Sequence, residues 1–211
     1  MQHLLIDLDD TLVDDRAATA SAFAAFLESH AAIVGRRDRG DLLERWRALS
    51  IHHWDRFARG EVTFLGQRRE RVRDFLQAAF SDAEADRAFE PYWSTYESSY
   101  RLFADVPAFL DRTRHLRKVI VTNGERPQQL RKLEATGLLA HVEKVVTPTD
   151  CGHWKPHAGI FGAAMRALDV EPGSCMMIGD SLENDIEPAK ALGMASFHVD
   201  RANGRDLSGL F

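Results

Sequence analysis

Short apolar runs that close on acids or hydroxyls recur along the second half of the chain, separated by segments with apolar residues every three or four positions. "RKVIVTN" (117–123), "VEKVVT" (142–147), "SCMMIGD" (174–180) and "ASFHVD" (195–200) each read as a buried strand ending in polar residues. Between them, "RPQQLRKLEATG" and "PHAGIFGAAMRALDV" read as helices with Pro near the start, and Gly137 marks the end of the first. Strand alternating with helix predicts parallel strands joined by crossover helices. With residues 3–9, "HLLIDLD", this makes five strands of a doubly wound, Rossmann-like α/β sheet.

Residues 15–105 have a different texture. "TASAFAAFLESHAA", "DLLERWRAL", "FLGQRRERVRDFLQAAF" and "AEADRAFEPYWSTYESSY" all show helical spacing. Val72, Phe75, Leu76 and Ala79 share one face, as do Phe89, Trp93, Tyr96 and Tyr100. Arg68, Arg69, Arg71 and Arg73 alternate with Glu70 and Asp74, which reads as a solvated face. The expected organisation is a catalytic core over 1–14 and 106–211, with an α-helical cap inserted over 15–105.

Composition narrows the class. Apolar residues make up 45% of the 211 and charged residues 28%, enough for a real core. The net charge of -5 carries no basic footprint for a nucleic acid polymer. Two cysteines, Cys151 and Cys175, make no disulfide framework, and "MQHLLIDLD" has no leader pattern, so a cytoplasmic protein is expected. No uncharged apolar run is long enough to span a membrane. A monomer or homodimer is expected.

The candidate chemistry lies where strands end. In "HLLIDLDDTLVD", Asp7 and Asp9 are two apart and project to one side of an extended segment, with Leu8 opposite. Thr122 and Asn123 close a second strand, Asp180 and Asp185 a third, and Lys155 follows "VVTPTDCGHW". All fall at the edge where open parallel sheets bind ligands. Converging carboxylates repel unless protonated or joined by a cation, and an all-oxygen donor set points to magnesium. A divalent ion beside a carboxylate, a hydroxyl and a lysine suits a phosphoryl group. Asp7 is then the nucleophile and Asp9 the acid/base. Asp10 and Asp14 read as turn or cap residues. Pro188 places the start of the following helix near Asn184, leaving Asp180 to Glu183 as a polar loop. Cys151, His153 and His157 lack the paired knuckle of a zinc site.

In order and spacing, "DLDDTL", "VTNG", "WKP" and "IGDSLEND" resemble the four motifs of the haloacid dehalogenase superfamily, and residues 15–105 resemble a cap inserted after its first strand. The resemblance implies that Thr122 and Lys155 bind phosphoryl oxygens with the Asn123 main chain assisting. It also implies that Asp7, the Asp9 carbonyl and Asp180 hold magnesium, with Asp185 bound directly or through water. Dehalogenases lack an acid at the place of Asp9, so its presence favours a phosphatase acting on small phosphorylated metabolites through an aspartyl-phosphate. Residues 1–117 contain no lysine, which excludes the cap-lysine Schiff base of phosphonate-cleaving relatives. A phosphomutase of the same plan, a phosphoryl-receiving module and a non-catalytic binding protein remain as alternatives. Cap residues His53, Arg56 and Arg59, in "HHWDRFARGEVTF" (52–64), which reads as a charged turn between helices able to reach the core, are candidates for choosing the substrate as the cap closes. Leu210 and Phe211 either fold back on the core or meet a partner.

Overall fold

The computed structural model describes residues 3–35 and 38–211. The chain forms two compact units, one of Met1–Asp15 with Tyr100–Phe211 and one of Arg16–Ser99.

The first unit is built on five parallel strands, β1 (His3–Ile6), β2 (Arg117–Val121), β3 (Lys144–Val146), β4 (Cys175–Gly179) and β5 (Ala195–His198), in the order β3-β2-β1-β4-β5. The order reverses at β1, which pairs His3 with Arg117 on one side and with Cys175 on the other. Covered on both faces, β1 is apolar throughout after His3, and Leu4, Leu5 and Ile6 are fully buried. One face packs Leu4, Ile6, Ile120 and Ile178 against Val106, Phe109 and Leu133. The other packs Leu5, Val119, Val121 and Met177 against Ile160, Phe161 and Ala164.

The helices of this unit, in chain order, are α6 (Val106–Arg112), α7 (Arg126–Ala135), α8 (Pro148–Cys151), α9 (Ala158–Leu168) and α10 (Glu187–Ala191). Gly137 follows α7 with φ 74°, the left-handed stop that its position after the apolar period predicts. The expected loop after β4 is instead a π-helical turn, Leu182–Ile186, leading directly into α10. The Ile186 amide reaches back five residues to the Ser181 carbonyl, so Pro188 lies in the first turn of α10, where its missing N–H is harmless.

The core reclaims residues 100–105 from the expected insertion. The Asp14 amide donates to the Arg101 carbonyl at 3.0 Å and the Phe103 amide to the Leu12 carbonyl at 3.1 Å, tying both connecting strands of chain together. The tail also belongs here: Leu207 and Leu210 join the core cluster, whereas Phe211 is half exposed.

The second unit consists of most of α1 (Asp15–Ser29), then α2 (Ala31–Val34), α3 (Arg39–Ala58), α4 (Phe64–Leu76) and α5 (Asp82–Ser98). Side-chain caps at Asp38, Thr63 and Ser81 start the last three, Ser81 with a reciprocal box to Glu84. Trp46, fully buried, contacts Phe23, Phe26, Phe75, Phe89 and Tyr92 at ring-centroid distances of 4.8–6.4 Å. Two expectations are corrected here. Helix α3 continues through Ala58, so most of 52–64 is helix and the turn is confined to 59–63. Arg71 is not solvated: four residues from both Gln67 and Phe75, it falls on the inward stripe and lies over the Trp46 ring at 4.7 Å.

Candidate functional site

The ends of β1, β2 and β4 lead into Asp7, Thr122 and Asp180, and the loop that follows β3 and α8 brings in Lys155. Asp7 follows β1 directly, and its amide donates to the Ile178 carbonyl at 2.9 Å, which extends the ladder by one residue and fixes the side chain beyond it. The fully buried Thr11 donates its hydroxyl to Asp7 Oδ2 at 3.0 Å. Lys155 Nζ donates to Asp7 Oδ1 at 2.6 Å and to Asp185 Oδ1 at 2.7 Å. All three of these charged groups are buried. Burial opposes the charge of Lys155, but the two carboxylates outweigh it and hold its pKa above the ordinary value.

Asp185 reaches this position because Gly179, at the end of β4, has no side chain. A Cβ at Gly179 would lie 2.3 Å from Asp185 Oδ2. The π-helical turn swings Asp185 back against the strand end, where the Ser181 amide also donates to Oδ2 at 3.2 Å. Oxygens of Asp7, Asp180 and Asp185 lie within 4.8 Å of one another. Burial, then the neighbouring carboxylates of Asp7, Asp10 and Asp185, push the Asp180 pKa up to about 7. The Asp7 pKa is raised by burial against the pull of Lys155. Three gathered carboxylates with oxygen donors alone match a hard divalent cation, and an added positive charge would relieve this repulsion.

Asp9, the second acid of the pair, faces a different set of partners. Gln129 Nε2 donates to Asp9 Oδ2 at 2.7 Å and the Lys132 ammonium donates to Oδ1. Gln129 also donates to Thr122 Oγ1 at 2.9 Å, which links the Asp9 carboxyl to the hydroxyl at the end of β2. Burial raises the Asp9 pKa and Lys132 opposes the rise. The Asn123 side chain, rather than extending outward, brackets the Lys155 main chain with two hydrogen bonds.

Asp7, Lys155, Asp180 and Asp185 thus form one cluster, joined to Asp9 and Thr122 by neighbouring chain and by Gln129. Asp10, with φ 59°, and Asp14, bound by Arg101, shape the turn after β1. His53, Arg56 and Arg59 lie in the helical unit. His53 is buried with Nε2 2.8 Å from Asp74, Arg56 pairs with Glu70 and Glu61, and Arg59 pairs with Glu61 at 2.6 Å. His153 and His157 stack at 4.0 Å, and the His157 ring caps α9 by accepting from the Gly159 amide. Among the described residues only the aspartate trio groups as metal ligands do.

Thr11, Gln129 and Lys132 escape the sequence reading. Thr11 looks like an ordinary turn hydroxyl, and the other two like a helix surface. One signal was available for Lys132: lysines are only five in an arginine-rich chain, so each stands out.

No helix among the described residues is long and apolar enough to cross a membrane. A phosphoserine phosphatase from Thermus thermophilus is 30% identical over 226 residues, covering 95% of this chain and 89% of that protein. Human N-acylneuraminate-9-phosphatase is 31% identical over 136 residues, 64% of this chain but 55% of its own length. In fold, the chain is similar to the Bacillus subtilis hydrolase YfnB solved bound to magnesium, with a TM-score of 0.76 at 23% identity over 92% of this chain and 86% of that one. The haloacid dehalogenase-like hydrolase family matches residues 1–193, and with three of the four motifs set at strand ends of one parallel sheet and the fourth, around Lys155, hydrogen-bonded to Asn123 at the end of β2, the chain belongs to that family.

Proposed function

We propose that this protein is a magnesium-dependent phosphatase that hydrolyses small phosphorylated metabolites through an aspartyl-phosphate on Asp7. The observation that carries the reading is the double contact of Lys155 with Asp7 and Asp185, beside the Asp180 carboxylate. A fixed ammonium at the nucleophile beside a cation-ready trio is what an incoming dianion requires. The relatives named as phosphatases support the same chemistry.

In the first step an Asp7 carboxylate oxygen attacks phosphorus and the ester P–O bond breaks. Asp9, in its protonated form, gives its proton to the departing oxygen, so the alcohol leaves neutral. In the second step water attacks phosphorus, Asp9 takes a proton from it, and Asp7 is released with inorganic phosphate. Lys155 and the Thr122 hydroxyl hold phosphoryl oxygens throughout. Asp7, Asp180, Asp185 and the Asp9 carbonyl would hold magnesium, which would supply positive charge to offset that on the transferring group. Thr11 keeps the Asp7 carboxylate from rotating away from the line of attack.

Hydrolysis of p-nitrophenyl phosphate with and without magnesium tests the reading. Turnover is expected only with the metal, and Asp7→Asn is expected to abolish it. Turnover that survives Asp7→Asn would overturn the covalent route. Absence of phosphate release that is restored as isomerisation by a sugar bisphosphate would assign the site to a phosphomutase. Absence of both would leave a receiving or binding module. A panel of phosphorylated metabolites then identifies the leaving group.

A further inference from the structure

Two polar side chains on α7 are buried where apolar ones would normally pack. Gln129 and Lys132, three residues apart and therefore on one helical face, are both fully buried. Lys132 Nζ bridges Asp9 and Asp15, contacting Asp15 Oδ1 at 2.7 Å, and lies 5.2 Å from the centre of the Tyr100 ring. Gln129 spends both amide hydrogens, one on Asp9 and one on Thr122, while its Oε1 has no hydrogen-bond partner among the described residues. An unpartnered buried acceptor is destabilising, so packing alone gives no reason for a glutamine here.

The hydrogen-bond inventory shows what the glutamine does. A threonine hydroxyl has two lone pairs and one proton. Thr122 Oγ1 accepts from Gln129 Nε2 at 2.9 Å and from the Gly124 amide at 3.1 Å. With both lone pairs occupied, the hydroxyl proton is directed away from these donors and is available to an anion. The same amide group that turns Thr122 into a donor also grips Asp9. Gly124 makes room for it: a Cβ there would sit 1.9 Å from Gln129 Nε2.

We propose that Gln129 and Lys132 are positioning residues for the chemical step, fixing the Asp9 carboxyl between them and, through Gln129, aiming the Thr122 proton at the phosphoryl group. The inference rests on the reading of Asp9 as the acid that protonates the leaving oxygen. Lys132 neutralises Asp9 and Asp15 as well, so a purely structural role is the competing account, and the two accounts differ in a measurable way. The need for a proton grows with the basicity of the leaving oxygen, whereas loss of folded protein affects every substrate alike.

The test compares kcat/KM for p-nitrophenyl phosphate, whose phenolate leaves readily, with phenyl phosphate, whose phenol resembles that of tyrosine with a pKa of about 10. kcat/KM reports the steps through phosphoryl transfer to Asp7, and the ratio of the two esters, taken on one preparation, is independent of the fraction folded. Gln129→Met and Lys132→Met are each expected to lower the phenyl ester about tenfold more than the nitrophenyl ester, within the 10²–10⁴ attributed to general acid catalysis. Lys132→Arg should recover part of that ratio. Asp9→Asn is measured alongside. If Asp9→Asn shifts the ratio while both α7 variants lower the two esters equally, the positioning role is wrong and the acid assignment stands. If Asp9→Asn leaves the ratio unchanged, the acid assignment itself fails. Should Lys132→Met not fold, Gln129→Met decides.

Discussion

Asn123 holds Lys155 by its main chain at two points: Asn123 Nδ2 donates to the Lys155 carbonyl at 2.9 Å, and the Lys155 amide donates to Asn123 Oδ1 at 2.7 Å. A loop residue is thereby fixed to the end of β2 as firmly as a strand neighbour would be, and its ammonium inherits that order. Asn123→Ala is expected to lower kcat/KM for p-nitrophenyl phosphate at least about tenfold, and stability by about 1–3 kcal/mol for the two lost bonds. Asn123→Asp keeps the acceptor for the Lys155 amide but lacks the donor, so it should fall between. Unchanged turnover in Asn123→Ala would show that Lys155 is placed by other means. Denaturant melts and steady-state rates supply both readings.

Gly179→Ala is expected to be nearly inactive. The added methyl would meet Asp185 Oδ2 at 2.3 Å and its Cγ at 2.4 Å, and the fully buried carboxylate has little space to retreat. Asp185 would leave Lys155 and the other aspartates, so magnesium affinity should fall with turnover. Calorimetric titration with magnesium checks this, and wild-type affinity in the variant would contradict it.

Thr11→Val removes the hydroxyl that holds Asp7 Oδ2 while keeping the side-chain shape. The expected loss is about 1.4 kcal/mol of transition-state stabilisation, roughly tenfold in kcat. Arg201→Ala should produce a smaller loss of the same kind. The Arg201 guanidinium donates to the Thr11 carbonyl at 2.6 Å and to Asp105 at 2.6 Å, so it braces the same turn from behind. Turnover equal to wild type in both variants would mean that Asp7 needs no such bracing.

The stability of the metal-free protein should fall as pH rises across the Asp180 titration. This carboxyl ordinarily titrates near 3.8 and is pushed up to about 7 in the fold, by burial first and by neighbouring carboxylates second. Between those values the folded state holds a proton that the unfolded state has released. Folding therefore weakens steadily over that window, and the loss is complete above about pH 7. Magnesium bound at the trio, as proposed, would compete with the proton, so the gain in Tm on adding it should be larger at pH 8 than at about pH 5. Asp180→Asn should flatten the metal-free slope. A metal-free Tm that climbs from pH 5 to 8 would contradict the assignment.

The central strands were legible because burial on both faces leaves a compositional trace: "VIV" in β2 and "MMI" in β4 have no polar partner positions, whereas the edge strand β5 is only partly buried. Asp7 and Asp180 stand out for a related reason, since a charge at the end of such a run is expensive unless something is bound there, whereas Lys155 stands out only by its place in the strand–helix order; the structure brings all three together. Gln129 and Lys132 left no comparable trace. Polar residues on a helix are the rule, and nothing local distinguishes a face turned toward a buried acid from one turned toward water. Arg71 was misread for the same reason, its inward direction being set by aromatic neighbours on α3 and α5 that lie far away in sequence. The π-helical turn was hidden because its winding depends on Asp185 meeting Gly179, a contact made only after the strand is in place.

The position of β1 in the sheet has a consequence for how the molecule comes into being. As translation proceeds, the segment bearing Asp7 emerges before its neighbours on either side, Arg117–Val121 and Cys175–Gly179, which are synthesised far later. A nascent chain therefore carries Asp7 long before it can enclose it, and its apolar "LLI" must wait exposed for the flanking strands. Ribosome-tethered fragments ending before β4 should be substrates for chaperones and proteases, and catalysis should begin only once that strand has been released from the exit tunnel.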